Sequence, residues 1–176
     1  VIGLTTPAEN RSRPGSAYEL VDPIPVVKGL LPAMRPLCEV VILLSHLGLS
    51  LDSCTAATAF AGDVELAQSL PYGSVDLIVG GHTHDPLNEG GLSPKNVVNG
   101  IPLVQAGNKG RFLGEVEFVL RPAPTLIKAG LTFAADQPVD AAFEKNYVQP
   151  FFEQIRPHCE KKLGVVANSQ EMRAET

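Results

Sequence analysis

Three of the four histidines stand where a metal could be gathered. His46 directly follows the aliphatic run Val40–Ser45 and precedes Leu47-Gly48. His82 and His84 follow Val75–Val79, within Gly80-Gly81-His82-Thr83-His84-Asp85. A neutral imidazole binds a divalent cation through one ring nitrogen, and a strand end holds that ring rigidly. An extended His-x-His points both side chains to one face, about 7 Å apart at the Cα atoms, a spacing that feeds one metal or two adjacent ones. Gly80 and Gly81 let the backbone turn sharply and leave room beside a ligand. Alone, His46 reads as an ordinary polar residue at a strand end; jointly, the three predict metal ligation. His158 lies in a helical stretch and reads as surface.

Other chemistries fail on spacing. Ser45-His46 lacks the Gly-x-Ser-x-Gly elbow of a serine hydrolase, and neither a phosphate loop nor a dinucleotide fingerprint occurs. Gly62-Asp63-Val64-Glu65-Leu66 approaches a Gly-Asp-x-x-Asp metal motif, but Leu66 takes the place of the second acid. That stretch reads as helix, with Asp63 and Glu65 solvated. Asn10-Arg11-Ser12 is a formal glycosylation acceptor of a kind that chance supplies. Cys38, Cys54 and Cys159 show no Cys-x-x-Cys spacing and are odd in number, so they predict buried, inert thiols rather than a zinc cage or a disulfide framework.

The elements that must position the histidines are legible in outline. Val1–Thr5 reads as a short strand and Thr6–Pro25 as a Pro-rich surface loop. Val26–Cys38 reads as a helix that Pro32 and Pro36 kink or shorten. Glu39–Ser45 is aliphatic without alternation, the look of a strand covered on both faces in a parallel sheet. Thr55–Leu70 predicts a helix with Leu66 and Leu70 on one face. Val75–Val79 is a second buried strand and Ile101–Gln105 a third, with a Gly/Pro/Asn loop from Asp85 to Asn99 between them. Phe112–Leu120 alternates as a half-exposed, antiparallel strand near an edge, and Leu126–Phe133 follows as another strand. Pro138–Leu163 is mainly helical, interrupted at Pro150 and at Pro157. Strand, helix, strand predicts an α/β fold. In such sheets ligands collect beyond the carboxyl ends of the strands, where the three histidines fall.

Composition narrows the class. The chain has 176 residues, 44% apolar and 19% charged, which excludes a disordered chain and allows one ordinary core. A net charge of −5 and the absence of a Lys/Arg run argue against a nucleic-acid polymer as partner. No apolar run nears the ~20 residues of a membrane-spanning helix. Val1-Ile2-Gly3-Leu4-Thr5 reads as a strand entered mid-run, without a basic-then-apolar leader, so the sequence is expected to be part of a longer protein.

Ser45-His46-Leu47-Gly48 after an aliphatic strand, followed by Asp76-Leu77-Ile78-Val79-Gly80-Gly81-His82-Thr83-His84, resembles the 5′-nucleotidase branch of the calcineurin-like metallophosphoesterases. Gln105-Ala106-Gly107 and Gly110-Arg111-Phe112-Leu113-Gly114 resemble the stretch that follows in that family, and Val1–Thr6 the strand that leads into it. Lys162-Leu163-Gly164 and Arg173-Ala174-Glu175-Thr176 look like the connecting helix and the opening of the family's C-terminal domain. The resemblance implies half of an α/β/β/α sandwich over residues 1–122, a connecting strand and helix over 123–163, and the start of a truncated nucleotide-binding domain over 164–176. It implies two divalent metal ions, Zn, Mn, Fe or Co, with His46 and His82 on one and His84 on the other. Such metals lie about 3.5–4 Å from each other, activate water and stabilise charge on the phosphoryl oxygens. The substrate would be a small phosphate ester of the nucleotide class, and the compartment periplasmic, secreted or cell-surface. The family's Asp-x-His, Gly-Asp-x-x-Asp and Gly-Asn-His motifs do not occur here. The remaining ligands therefore belong to a missing N-terminal half, and the isolated chain is expected to be inactive. A non-catalytic α/β relic or binding module, and another branch of the superfamily that includes sulfur-oxidation proteins, are the alternatives.

Overall fold

The computed structural model describes residues 1–8, 15, 17–50 and 60–161. It divides into two compact units, Val1–Asp136 and Gln137 onward.

The first unit is built on a five-stranded sheet. Its strands are β1 (Ile2–Thr5), β2 (Ile42–His46), β3 (Leu77–Val79), β4 (Val97–Val98) and β5 (Ile101–Val104), in spatial order β1-β2-β3-β5-β4. β1, β2, β3 and β5 run parallel, with Leu44 opposite Val79 and Val79 opposite Val104; β4 returns antiparallel to β5. The sequence order of strand and helix thus yields the expected α/β class.

Two helices cover one face. Helix α1 (Pro23–Met34) starts earlier than the proline count predicts. Asp22 caps it by accepting from the Ile24 amide at 2.9 Å, and Pro23 takes a first-turn position where the missing N–H has no helical partner to lose. Pro32 stays inside the helix, and Pro36 falls in a 3₁₀ turn, Arg35–Leu37. Helix α2 is Asp63–Ser69, shorter than the predicted Thr55–Leu70: residues 60–62 are not helical, and residues 51–59 lie outside the described residues. Val27, Leu43, Leu66, Ala67, Ile78 and Ile101 form a core with no exposed surface. The Asp76 carboxylate pairs with the Arg35 guanidinium and accepts from the Val41 amide at 2.7 Å, tying the end of α1 to the entries of β2 and β3.

The other face is covered unevenly. Strands β6 (Phe112–Val119) and β7 (Thr125–Phe133) pair antiparallel, with a bulge at Glu117/Phe118, as a separate two-stranded sheet. A cavity of about 100 Å³ lined by Val79, Val104, Val116 and Leu131 separates it from β3 and β5. On β2, burial alternates: Leu43 and Ser45 are buried, whereas Leu44 and His46 are exposed. The expectation of a β2 strand covered on both faces is therefore corrected. The run lacks alternation because its open face is also aliphatic.

The second unit is one helical run of α3 (Ala141–Phe143), a π turn over Glu144–Val148, and α4 (Gln149–Cys159). Asp140 caps it, accepting from Ala142 and Phe143 amides at 3.0 Å. The expected interruption at Pro150 is absorbed by the π turn just before it, since proline cannot make the i→i−4 bond there. Pro157 lies within α4, and His158 is exposed, as expected. Cys159 is also exposed and Cys38 only partly covered, which overturns the buried-thiol expectation for Cys159; Cys54 lies outside the described residues. So do Asn10-Arg11-Ser12 and all of 162–176, including the expected opening of a further domain over 164–176. Among the described residues no helix is long and apolar enough to cross a membrane.

Candidate metal centre

His46 is the last residue of β2, and the parallel neighbour β3 delivers His82 three residues past its own end. The two rings meet edge to face, with centroids 5.1 Å apart and planes at 67°. Gly81 makes room for this approach: a Cβ on it would stand 3.1 Å from His46 Nδ1.

The extended His-x-His geometry does not form. His82 and His84 both take positive φ, 77° and 63°, a region that side chains other than glycine enter at a cost of order 1–2 kcal/mol. The chain leaves the sheet at Gly80, whose amide donates to Val104 O at 2.8 Å, and turns back on itself as the Thr83 amide reaches Gly81 O at 3.0 Å. Thr83 Oγ1 then accepts from the Leu49 amide at 3.0 Å, pinning the turn to the loop after His46. Period-2 reasoning fails because it holds only while the backbone stays extended.

His84 is exposed, and its Nδ1 lies 3.2 Å from Asn108 Nδ2. With the Asn108 amide turned to present its oxygen, the Nδ1 proton would be held and Nε2 left open to a cation. Sequence reasoning missed Asn108, which lies in the loop after β5 next to Gly107.

Behind the rings lies a polar cluster that the sequence reading also missed. Asp63, expected to be solvated, is 2% exposed. Burial pushes its carboxyl up to about 7 from 3.8; the Ser45 hydroxyl bond works against that rise and Glu65 adds to it. Gln105 is buried too, accepting from the Asp85 amide at 2.7 Å. Its Nε2 and the Asp85 Oδ2 are buried without a hydrogen-bond partner among the described residues. Gly62 and Gly80 stand at places where any side chain would collide with neighbouring atoms, a closeness that the structure reveals and the sequence does not.

Among the described residues, no three His, Cys, Asp or Glu side chains gather into a metal-holding group. The donor set on hand is the His46–His82 pair, enough for two of four tetrahedral positions, with His84 held by Asn108. Such a set fits a cation whose other ligands come from elsewhere.

No family model matches the chain. Protein UshA of Salmonella pullorum is 36% identical over 95 residues, 47% of this chain and 17% of that protein. A 5′-nucleotidase of Vibrio cholerae is 30% identical over 140 residues, 69% of this chain and 25% of that protein. A crystal structure of a Staphylococcus aureus protein assigned as a 5′-nucleotidase superposes with a TM-score of 0.62 over 89% of this chain and 31% of the other, at 15% identity, which shows a shared fold. The chain therefore spans a quarter or less of the two curated relatives. The sequence similarity supports the expected kinship with the 5′-nucleotidase branch of the metallophosphoesterases, and the superposition shows the shared fold.

Proposed function

We propose that the chain is the histidine-bearing half of a two-metal phosphohydrolase that acts on nucleotide phosphate esters, and that alone it turns nothing over. The observation that carries this reading is the close approach of the His46 and His82 rings, 5.1 Å apart at the ends of neighbouring parallel strands. In this reading His46 and His82 hold one divalent ion and His84, oriented by Asn108, helps hold a second. The carboxylates that would bridge the ions come from residues outside this sequence. When bound, the ions supply Lewis acidity and charge stabilisation at the phosphoryl group.

What this chain's own residues do is narrower. The strand ends place two imidazoles together, and Gly81 admits the His46 ring. The turn at Gly81–His84 aims the histidines out of the sheet, and Leu49 and Thr83 lock that turn to the His46 loop. Two adjacent cations without a bridging carboxylate repel each other, so loading of both sites by this chain alone is disfavoured. The exposed Leu44, on the same face of β2 as His46, supports a reading in which the other half of the domain covers it. A periplasmic or cell-surface location fits the family.

The test is a Co²⁺ titration of the 176-residue chain, followed at the histidine ring nitrogens by NMR. His46 and His82 should shift in concert, with an affinity far below that of a closed structural site, and His46→Ala should abolish the response of His82. Independent responses of the two rings would sink the shared-ion reading. Chelator-sensitive turnover of a nucleoside monophosphate by the chain, lost in His84→Ala, would overturn the proposed inactivity.

A further inference from the structure

We infer that Asp63 is a positioning residue whose carboxyl group clasps the ends of β2 and β3 and so sets the distance between the His46 and His82 rings. The inference deepens the proposed metal site and takes its functional meaning from it, but its geometry stands apart from any bound ion.

Asp63 opens α2, and the start of that helix is docked on the loop that follows His46. The Asp63 amide donates to Gly48 O at 2.8 Å and the Val64 amide to Leu49 O at 2.9 Å. The approach is close enough that a Cβ on Gly62 would stand 2.8 Å from Gly48 O and from the Ser50 backbone. This docking carries the Asp63 side chain inward, between the two strand ends.

Its two carboxyl oxygens then do different things. Oδ1 accepts from the hydroxyl of Ser45, the residue before His46, and Ser45 Oγ in turn accepts from the Leu47 amide at 3.3 Å. The hydroxyl thus brackets His46 from both sides. Oδ2 rests on the bare Cα of Gly80, where a Cβ would overlap it. The next residue, Gly81, receives the His46 ring. Consecutive glycines of one strand end therefore seat the carboxyl and the imidazole side by side, and His82 follows at once. Gln105 Nε2 approaches Gly80 as well, 3.5 Å from where its Cβ would stand, while Gln105 Oε1 holds the Asp85 amide beyond His84.

A carboxylate serving only the helix dipole would sit in solvent in the first turn, where it is cheap. Asp63 is instead 2% exposed, and its burial strongly disfavours ionisation. What it gains in that place is a hydrogen bond from Ser45 at the end of β2 through one oxygen and close packing against Gly80 at the end of β3 through the other.

The experiment reads the ring spacing directly. In the metal-free 176-residue chain, His46 and His82 ring protons should give a nuclear Overhauser cross-peak. Asp63→Ala should lose it while the β2–β3 cross-strand amide contacts persist, and Co²⁺ affinity should fall about tenfold. Asp63→Asn, which keeps the shape and the acceptor for Ser45, should keep both. Gly80→Ala removes no group but displaces the carboxyl, and it should lose the cross-peak too. If Asp63→Ala does not fold, Gly80→Ala and Ser45→Ala carry the same measurement. An intact cross-peak in Asp63→Ala or Gly80→Ala overturns the clasp, as does its loss in Asp63→Asn. Failure of wild-type chain to bind Co²⁺ at these histidines would remove the metal reading and leave the spacing result standing.

Discussion

Leu43 and Leu44 are neighbours in one strand with the same side chain, yet Leu43 is fully buried and Leu44 is 48% exposed. Leu43 belongs to the core that α1 and α2 close, together with Val27, Leu66 and Ile78. Leu44 lies opposite Val79, on the face where the β6–β7 sheet reaches β3 and β5 but stops short of β2. The strand is the same; the layer above it differs. One face of the sheet is a finished core, and the other is an apolar surface half covered, with His46 at its open end.

The widest gap between the two faces should appear on titration. Asp63 is buried on the finished side, and its folded carboxyl titrates near 7, above the 3.8 of an unperturbed aspartate. The unfolded chain ionises first, so this group's contribution is fully favourable below about pH 4 and is lost as pH rises through 7. The loss is at most about 4 kcal/mol. Urea melts of wild type and Asp63→Asn between pH 4 and 8 should converge at the acid end, apart from a constant offset, and diverge toward the alkaline end in favour of the variant. A parallel pair of curves would mean that Asp63 is better solvated than the finished face implies.

Next in size is the leucine pair itself. Leu43→Ala should cost about 3 kcal/mol, as a cavity opens under the helices, and Leu44→Ala less than about 1 kcal/mol. Equal losses by chemical denaturation would break the comparison outright.

The entry ends of the strands give a smaller effect. Asp76→Ala strands the Val41 amide and the Arg35 guanidinium and should cost about 2 kcal/mol. Arg35→Ala should cost less, because 34% of that side chain is already in water. Least of all, Glu115→Gln on the outer hairpin should change stability by under about 0.5 kcal/mol. Its partner Lys128 and Glu115 itself are each more than half exposed, at 53% and 61%.

The parallel strands were legible because aliphatic runs bounded by turn residues have few other readings, and the α/β class followed from the helix between them. Which face each run buries was not legible: Ile42, Leu43 and Leu44 are all aliphatic, so the pattern holds no alternation to read. The start of α1 was misplaced because Pro23 and Pro25 look like loop residues until Asp22 is seen to cap them. Within the candidate site, His46 and His82 could be placed from their position after the strands. The positive φ of His82 and His84 could not, since nothing in a histidine announces it. Asp63 looked solvated because an acid in a first helical turn usually is, and only its contact with Gly80, seventeen positions away, says otherwise.

The backbone at His82 and His84 bears on how this chain would respond to engineering. Both residues occupy conformations that glycine or asparagine adopts more readily. A library of variants screened for heat resistance alone should therefore drift at these two positions first, trading imidazole for glycine or asparagine. The hardiest sequence for this fold and the one that keeps its two imidazole rings are different sequences, and they part company at residues 82 and 84.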